Sequence, residues 1–300
     1  MDKFPGYNNC VLCPRNCHAD RKIQTGFCRC TDHLKIARAA LHYWEEPCIS
    51  GTRGSGTVFF SGCTIRCCFC QNYKISSEGF GKEISIERLS EIFLELQDKG
   101  AHNINLVTPT QFLPSILQAL DKVKHKLHIP VVYNCGGYEK TQTLELLDDY
   151  VDIYLPDLKF YDGALSKKYV QAEDYFSYAS KAVKMMIHQK GKPAFDSEGM
   201  MTSGVIVRHM IMPGAYKDSL KLLDWMDKEL PKDQFLVSLM SQYTPFYQAE
   251  NYPEINRRLT TFEYEKVLDR AVELGFTDGY MQEKSSAKEE YTPPFDLEGV

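Results

Sequence analysis

Between Gly62 and Asn72 the chain reads Gly62-Cys63-Thr64-Ile65-Arg66-Cys67-Cys68-Phe69-Cys70-Gln71-Asn72. No other stretch restricts the fold as strongly. Cys63, Cys67 and Cys70 are spaced Cys-x3-Cys-x2-Cys, close enough for three thiolates to hold three corners of a [4Fe–4S] cubane. A self-contained cluster takes four cysteines, so one iron is left for a non-protein ligand. The run Thr57-Val58-Phe59-Phe60 just before it is β-branched and aromatic, which predicts a buried strand. Thiols at the C-terminal end of such a strand fit the active-site face of a (β/α) barrel. The bland alternatives are a structural zinc site or inert buried thiols. Cys68 falls inside an x position and reads as a packing residue.

Bulk properties narrow the class. The chain has 300 residues, 43% hydrophobic and 25% charged, with a formal net charge of −5. This is an ordinary globular composition. It has no basic block of the kind that marks nucleic-acid binding and no apolar run of the roughly 18 residues a membrane helix needs. The first residues, Met1-Asp2-Lys3-Phe4-Pro5-Gly6, lack an apolar signal core, so a cytoplasmic protein is expected. Of the 11 cysteines only Cys135 lies beyond residue 70. In a chain without an export signal that bias argues for metal rather than disulfides.

Residues 1–50 form a Cys-rich N-terminal segment with Cys10, Cys13, Cys17, Cys28 and Cys30. Such a turn-rich stretch buries little core alone, and a metal compensates in small modules of this kind. Cys10, Cys13, Cys17 and Cys28 (or Cys30) make a candidate second site, for Zn or for a second Fe–S cluster. Unmetallated thiols packed on the barrel are the alternative. Leu34, Ala37, Leu41 and Trp44 recur at helical spacing, which predicts a helix over 32–44. The glycines 51, 54 and 56 precede a strand, not a helix, and so match neither the P-loop nor the dinucleotide fingerprint.

From residue 84 helical and strand patterns alternate. Helices are predicted over 85–99, 114–124, 141–150, within 169–190, and over 216–229 and 262–274. Strands are predicted over 103–107, 130–134, 151–155, 204–211 and 234–240, besides 57–60. Short buried strands alternating with helices give an α/β fold with a parallel sheet. The barrel is assigned to residues 51–282. The acidic residues after Gly279 (Glu283, Glu289 and Glu290) mark 283–300 as a solvated C-terminal tail.

The cysteine spacing, Phe69 before the last cysteine and the preceding Gly-Cys together resemble the signature of the radical S-adenosylmethionine (SAM) enzymes. The run from Glu45-Glu46-Pro47-Cys48-Ile49-Ser50-Gly51 to Ser76 is similar to pyruvate formate-lyase activating enzyme-like proteins. The leader Cys10-x2-Cys13-Pro14-Arg15-x-Cys17 extends that similarity. The resemblance implies a partial (β/α)6 TIM-type barrel, which six strand-helix units fit. It also implies that the open iron binds SAM and that one electron splits SAM to methionine and a 5′-deoxyadenosyl radical. Partners follow from it: a reducing electron donor of flavodoxin or ferredoxin type, and a protein substrate bearing a glycine in a glycyl-radical enzyme.

Several residues match or depart from that family pattern. Where the activating enzymes carry Gly-Gly-Glu-Pro for the SAM amino group, this chain has Thr108-Pro109-Thr110-Gln111. Thr108 and Thr110 keep hydrogen-bonding capacity but no carboxylate. Asn134 ends the third strand with an amide suited to the ribose or carboxylate of SAM. Asp157 and Lys159 resemble an Asp-x-Lys pair serving SAM and substrate. Arg208, in an Arg-His run followed by Pro213-Gly214, suits a bidentate grip on the SAM carboxylate, whereas His209 alternates away from it. Gln242 and Tyr243 follow the sixth strand, where they line the substrate cleft or its rim. The competing class is an Fe–S electron-transfer protein without SAM cleavage, which would ligate every iron.

Overall fold

A computed structural model describes residues 4–282 and 292–300. Ten strands form one sheet: β1 (Lys35–His42), β2 (Ser55–Phe60), β3 (Lys82–Glu83), β4 (Ile104–Val107), β5 (Val131–Cys135), β6 (Ile153–Pro156), β7 (Ala194–Phe195), β8 (Met201–Met210), β9 (Leu236–Met240) and β10 (Gly279–Met281). The spatial order is β10-β9-β8-β6-β5-β4-β2-β1-β3, with β7 paired to β8. The strands from β2 to β10 along this path are mutually parallel, while β1 and β3 pair antiparallel at one edge. The fold is α/β with a mostly parallel sheet, a partial TIM-type barrel that does not close.

The helices are α1 (Pro47–Ser50), α2 (Tyr73–Ser76), α3 (Ile86–Asp98), α4 (Leu113–Val123), α5 (Thr141–Glu145), α6 (Gly163–Val170), α7 (Tyr175–Lys190), α8 (Tyr216–Glu229) and α9 (Thr261–Glu273). Local chemistry sets their ends. The Ser85 hydroxyl accepts from Arg88 N at the start of α3, and Thr260 with Glu263 forms a reciprocal capping box at α9. Both satisfy amides that the first helical turn leaves unpaired.

Three expectations change. Residues 32–44 contain a strand, not a helix: Ala37, Ala39 and Ala40 are buried along a strand paired with β2, and sheet pairing overrides a helical spacing of apolar residues. The helix expected over 141–150 stops at Glu145. A seventh parallel strand, β10, extends the sheet beyond the six expected. It is only three residues long and half exposed, so it carries no periodic signal. Glu283, Glu289 and Glu290 lie outside the described residues. Residues 292–300 run beside β1, where Leu297 N donates to Ala37 O and Ala39 N to Glu298 O.

The main core lies between the sheet and the helices. A second, smaller core fills the concave face: Val132, Ile153, Leu155 and Ile206 from the strands meet Cys48 and Ile49 of α1. The connection from β1 to β2 therefore enters the hollow of the sheet. Apolar burial on this scale, at about 25 cal/mol per Å², fixes α1 there and places the residues just before it above the plug.

Candidate functional site

A cleft opens at the C-terminal ends of the parallel strands. It is lined by Cys63, Cys67 and Cys70 after β2, Thr108 after β4, Asn134 on β5, Asp157 and Lys159 after β6, and Arg208 on β8. Phe69, Gln242 and Tyr243 also line it. The Phe69 ring is buried edge-on against Phe160 and Tyr243. That packing fixes the cysteine loop against the far wall.

Gly62 lines the cleft, and Gly137 shapes the loop beside it. Gly62 has φ +81, and a Cβ there would come 2.2 Å from Cys30 Sγ and 2.7 Å from Cys28 O. Gly137 has φ +77, and a Cβ would lie 2.1 Å from Asp157 O. Each position thus demands glycine for conformation and for space. The Gln111 side-chain amide reaches the carbonyls of Ser61 (2.9 Å), Gly62 (3.2 Å) and Thr108 (2.7 Å), tying the cysteine loop to the β4 loop. Thr108 itself adopts φ +55.

The polar floor is a charge-assisted network. Arg208 Nε donates to Asp157 Oδ1 at 3.0 Å, one terminal nitrogen to Glu45 Oε2 at 3.0 Å and the other to Asn134 Oδ1 at 2.6 Å. Lys159 Nζ donates to Asp157 Oδ2 at 2.7 Å. Glu45 Oε1 accepts from the amides of Asn105 and Asn134, each at 3.1 Å. Burial alone would raise the Asp157 carboxyl, but Lys159 and Arg208 outweigh it and hold it below the usual carboxylate range. Burial works against the charge of Lys159, and Asp157 reverses that, pushing the ammonium pKa up.

Thr110 stands apart from this cleft. Its hydroxyl is 2.8 Å from Glu139 Oε1 and 3.0 Å from the Tyr133 hydroxyl. Burial pushes the Glu139 carboxyl up to about 8, against the pull of those two hydroxyls. His209 is buried, with its ring nitrogens at Leu158 O and Ser219 Oγ. Neither Glu45 nor Glu139 stands in a motif that marks it as a site residue. The one signal for Glu45 was two acids beside a Pro-Cys-Ile turn, since a charged pair leading into a buried helix needs a partner.

The three cleft thiols suit a metal cluster. Burial pushes Cys63 up to about 12 and raises Cys67 and Cys70 as well. Thiolates are the form that binds metal, and a cluster's positive charge reverses that burial cost. Soft thiolates facing a cleft are the donors iron–sulfur groups take. Among the described residues no three His, Cys, Asp or Glu side chains converge on a single-ion position. A cubane makes no such demand, because each thiolate bonds a different iron.

In the N-terminal segment Cys10, Cys28 and Cys30 are buried, Cys13 is half-buried and Cys17 is exposed. A Cβ on Gly26 would lie 3.2 Å from Cys17 Sγ and 3.5 Å from Cys28 Sγ, so these two sulfurs flank one glycine. The fully buried Arg21 donates to the carbonyls of Cys30 (3.1 Å), Gln111 and Thr31. It thereby ties the segment to the barrel. Among the described residues no helix is long and apolar enough to cross a membrane.

Comparison with known proteins agrees with this geometry. The uncharacterized protein MJ0674 of Methanocaldococcus jannaschii is 34% identical over 275 residues, covering 88% of this chain and 75% of that protein. The FeFe-hydrogenase maturase HydG from Carboxydothermus hydrogenoformans superposes with a TM-score of 0.51 at 12% identity, covering 79% of this chain and 56% of that one. A second HydG structure gives 0.52 at 11% identity, with 79% and 53% covered. The chain thus spans about half the length of these solved structures, and at such identities they speak for the fold alone. Residues 57–226 match the family model of the radical SAM superfamily. That match begins within the strand leading to Cys63, Cys67 and Cys70 and ends past Arg208, and it places this chain in the radical SAM superfamily, a superfamily of enzymes.

Proposed function

We infer that this chain holds a [4Fe–4S] cluster on Cys63, Cys67 and Cys70, binds S-adenosyl-L-methionine in the adjoining cleft and removes a hydrogen atom from a substrate. The observation that carries this reading is that the three thiols share one cleft with Asn134, Asp157, Lys159 and Arg208. Held there, the cluster and SAM would supply one-electron chemistry that takes a hydrogen atom from the substrate and leaves methionine and 5′-deoxyadenosine. The chain's own part is to hold and exclude. Phe69 packs the cysteine loop, Thr108 offers polar atoms beside it, and Arg208 with Asp157 and Asn134 sets the floor. Lys159 adds positive charge beside the thiolates.

The favoured substrate is a glycine of a partner glycyl-radical enzyme, as the likeness to pyruvate formate-lyase activating enzyme-like proteins suggests. Support comes from Asp157-x-Lys159 and Arg208, which stand together in the cleft. The loss of Gly-Gly-Glu at 108–110 leaves other substrates open. The electron donor is of flavodoxin or ferredoxin type. In this reading Cys10, Cys13, Cys17 and Cys28 hold Zn or a second Fe–S cluster once their thiols draw together, since among the described residues no three such side chains converge on a single-ion position, and the Arg21 cation offsets the excess negative charge of four thiolates.

The test is anaerobic reconstitution with iron and sulfide, then dithionite and SAM. Methionine and 5′-deoxyadenosine should appear together and vanish in Cys67→Ala. A fully loaded protein that never cleaves SAM would overturn the reading in favour of electron transfer. Zinc and iron counts on the same sample test the N-terminal site.

A further inference from the structure

The cysteine loop has two faces. Cys63, Ile65 and Cys67 line the cleft. Thr64 and Arg66 between them do not, and they face the Cys-rich segment instead. There Arg15 Nε donates to Thr64 O at 2.8 Å, and a terminal Arg66 nitrogen donates to Phe27 O at 2.7 Å. Both guanidiniums lie over the half-buried Phe27 ring, 3.9 Å and 4.2 Å from its centroid. Arg29, exposed two residues further on, donates to Ser77 O.

Three cations thus gather behind the cysteine loop in a chain whose net charge is −5. Among the described residues their hydrogen bonds go to carbonyls, and none of the three meets a carboxylate. The carboxylates beside α6, Glu173 and Glu254, are taken by Lys167 and Lys168. One Arg15 nitrogen is buried without a hydrogen-bond partner. Burial, Arg29 and Arg15 all act against the charge of Arg66. Like charges crowded on one face repel one another, and an anionic surface laid over them relieves that cost.

We propose that this face receives the electron donor, a small acidic protein that carries a low-potential flavin or iron–sulfur group. The inference rests on the reading that Cys63, Cys67 and Cys70 hold a cluster. SAM and substrate reach those thiols from the cleft, so a protein donor needs another side. Arg66 is the chain neighbour of Cys67, which brings a partner seated on the arginines to the back of the loop that holds the cluster. Phe27 gives the patch an aromatic centre among arginines, residue types that protein-docking surfaces favour. The donor gives up one electron, the cluster gains it, and no bond is made or broken.

The test follows loss of the cluster's visible absorbance after rapid mixing of the anaerobically reconstituted protein with a reductant. The probes are reduced flavodoxin and reduced ferredoxin in turn, and photoreduced deazariboflavin, which is small and uncharged. At least one acidic carrier should reduce the wild type quickly at low salt, and more slowly as salt screens the charges. Arg29→Gln/Arg66→Gln should lose about 10- to 100-fold of that rate at low salt, with most of its salt dependence. Its deazariboflavin rate should not change. Arg29→Lys/Arg66→Lys keeps the charge and should keep the rate. The control Lys192→Gln/Lys228→Gln removes the same charge where the strands begin and should react as the wild type does. Iron content verifies loading. Should the double Gln variant load poorly, Arg29→Gln alone carries the test, with a loss of about 3- to 10-fold. An equal fall with carrier and deazariboflavin would make the arginines supports of the loop and overturn the proposal. An unchanged carrier rate would also overturn it, as would a wild type that deazariboflavin reduces and neither carrier does. If deazariboflavin finds no cluster to reduce, the cluster reading itself falls.

Discussion

Arg208 and Asp157 meet across adjacent parallel strands, with Arg208 Nε 3.0 Å and a terminal nitrogen 2.9 Å from the same Asp157 oxygen. Their backbones are also bridged, Leu158 N donating to Arg208 O at 2.7 Å. The pair is thus held by main chain and side chain together. The second Asp157 oxygen takes Lys159.

Asp157→Asn leaves two buried cations facing a neutral amide. Removing one partner of a buried pair costs about 3–5 kcal/mol. The folded carboxyl lies below its unfolded value, so its stabilising contribution is present above the unfolded pKa and lost as pH falls through the folded one. Urea unfolding should show the variant destabilised at neutral pH, with the gap to wild type closing toward acid. A gap that stays constant with pH would contradict the ion-pair account.

The four clustered cysteines should separate cleanly. Cys63→Ala, Cys67→Ala and Cys70→Ala should each lose iron and 5′-deoxyadenosine production. Cys68→Ala should keep both. Cys68 is buried, its N donating to Tyr169 O and its O accepting from Gln248 N, and it does not line the cleft. Iron and sulfide assays decide the matter. Loss of iron from Cys68→Ala would mean that the loop's thiols were misassigned.

Glu139 should give the protein a pH dependence of its own. Its carboxyl is raised to about 8 in the fold from an ordinary value near 4.5. The folded state therefore holds a proton that the unfolded state has lost between these values. The contribution is fully present below the unfolded pKa and declines as pH rises toward 8, by up to about 1.4 kcal/mol per pH unit. Glu139→Gln should flatten that slope in urea titrations at pH 5–8. An unchanged slope would place the dependence elsewhere.

Arg21→Met should loosen the N-terminal segment. The guanidinium is fully buried, serves three carbonyls and stands 4.7 Å from the Tyr7 ring centroid. Leaving those carbonyls unpaired costs about 1–3 kcal/mol each. Limited proteolysis should cut first ahead of β1 in the variant. A wild-type cleavage pattern would show that other contacts suffice.

Much of this architecture was legible in the sequence because local and global signals agreed. The helix over 216–229 has a strong amphipathic period and is found at those bounds. The strand before Cys63 is β-branched, aromatic and buried throughout. Residues 32–44 misled because Leu34, Ala37 and Leu41 satisfy a helical spacing while the pairing with β2, which decides the matter, is long-range. Thr110 stands at the Gly-Gly-Glu-Pro position of the family resemblance, yet a 3-10 turn over Thr110–Phe112 carries its hydroxyl to Glu139. Glu45 has no periodic or spacing signal. Its position depends on a chain segment folding into the hollow of a sheet whose other strands come much later in sequence.

That segment bears on how the protein could be divided. The family match starts at residue 57, and a cut at residue 50 would look natural between α1 and β2. Such a cut would strip Arg208 of one of its two carboxylates and remove Cys48 and Ile49 from the inner core. It would also unzip the β1 edge, against which residues 292–300 lie. The leading fifty residues and the barrel therefore share one inner core and one polar floor, and a cut between them would open both.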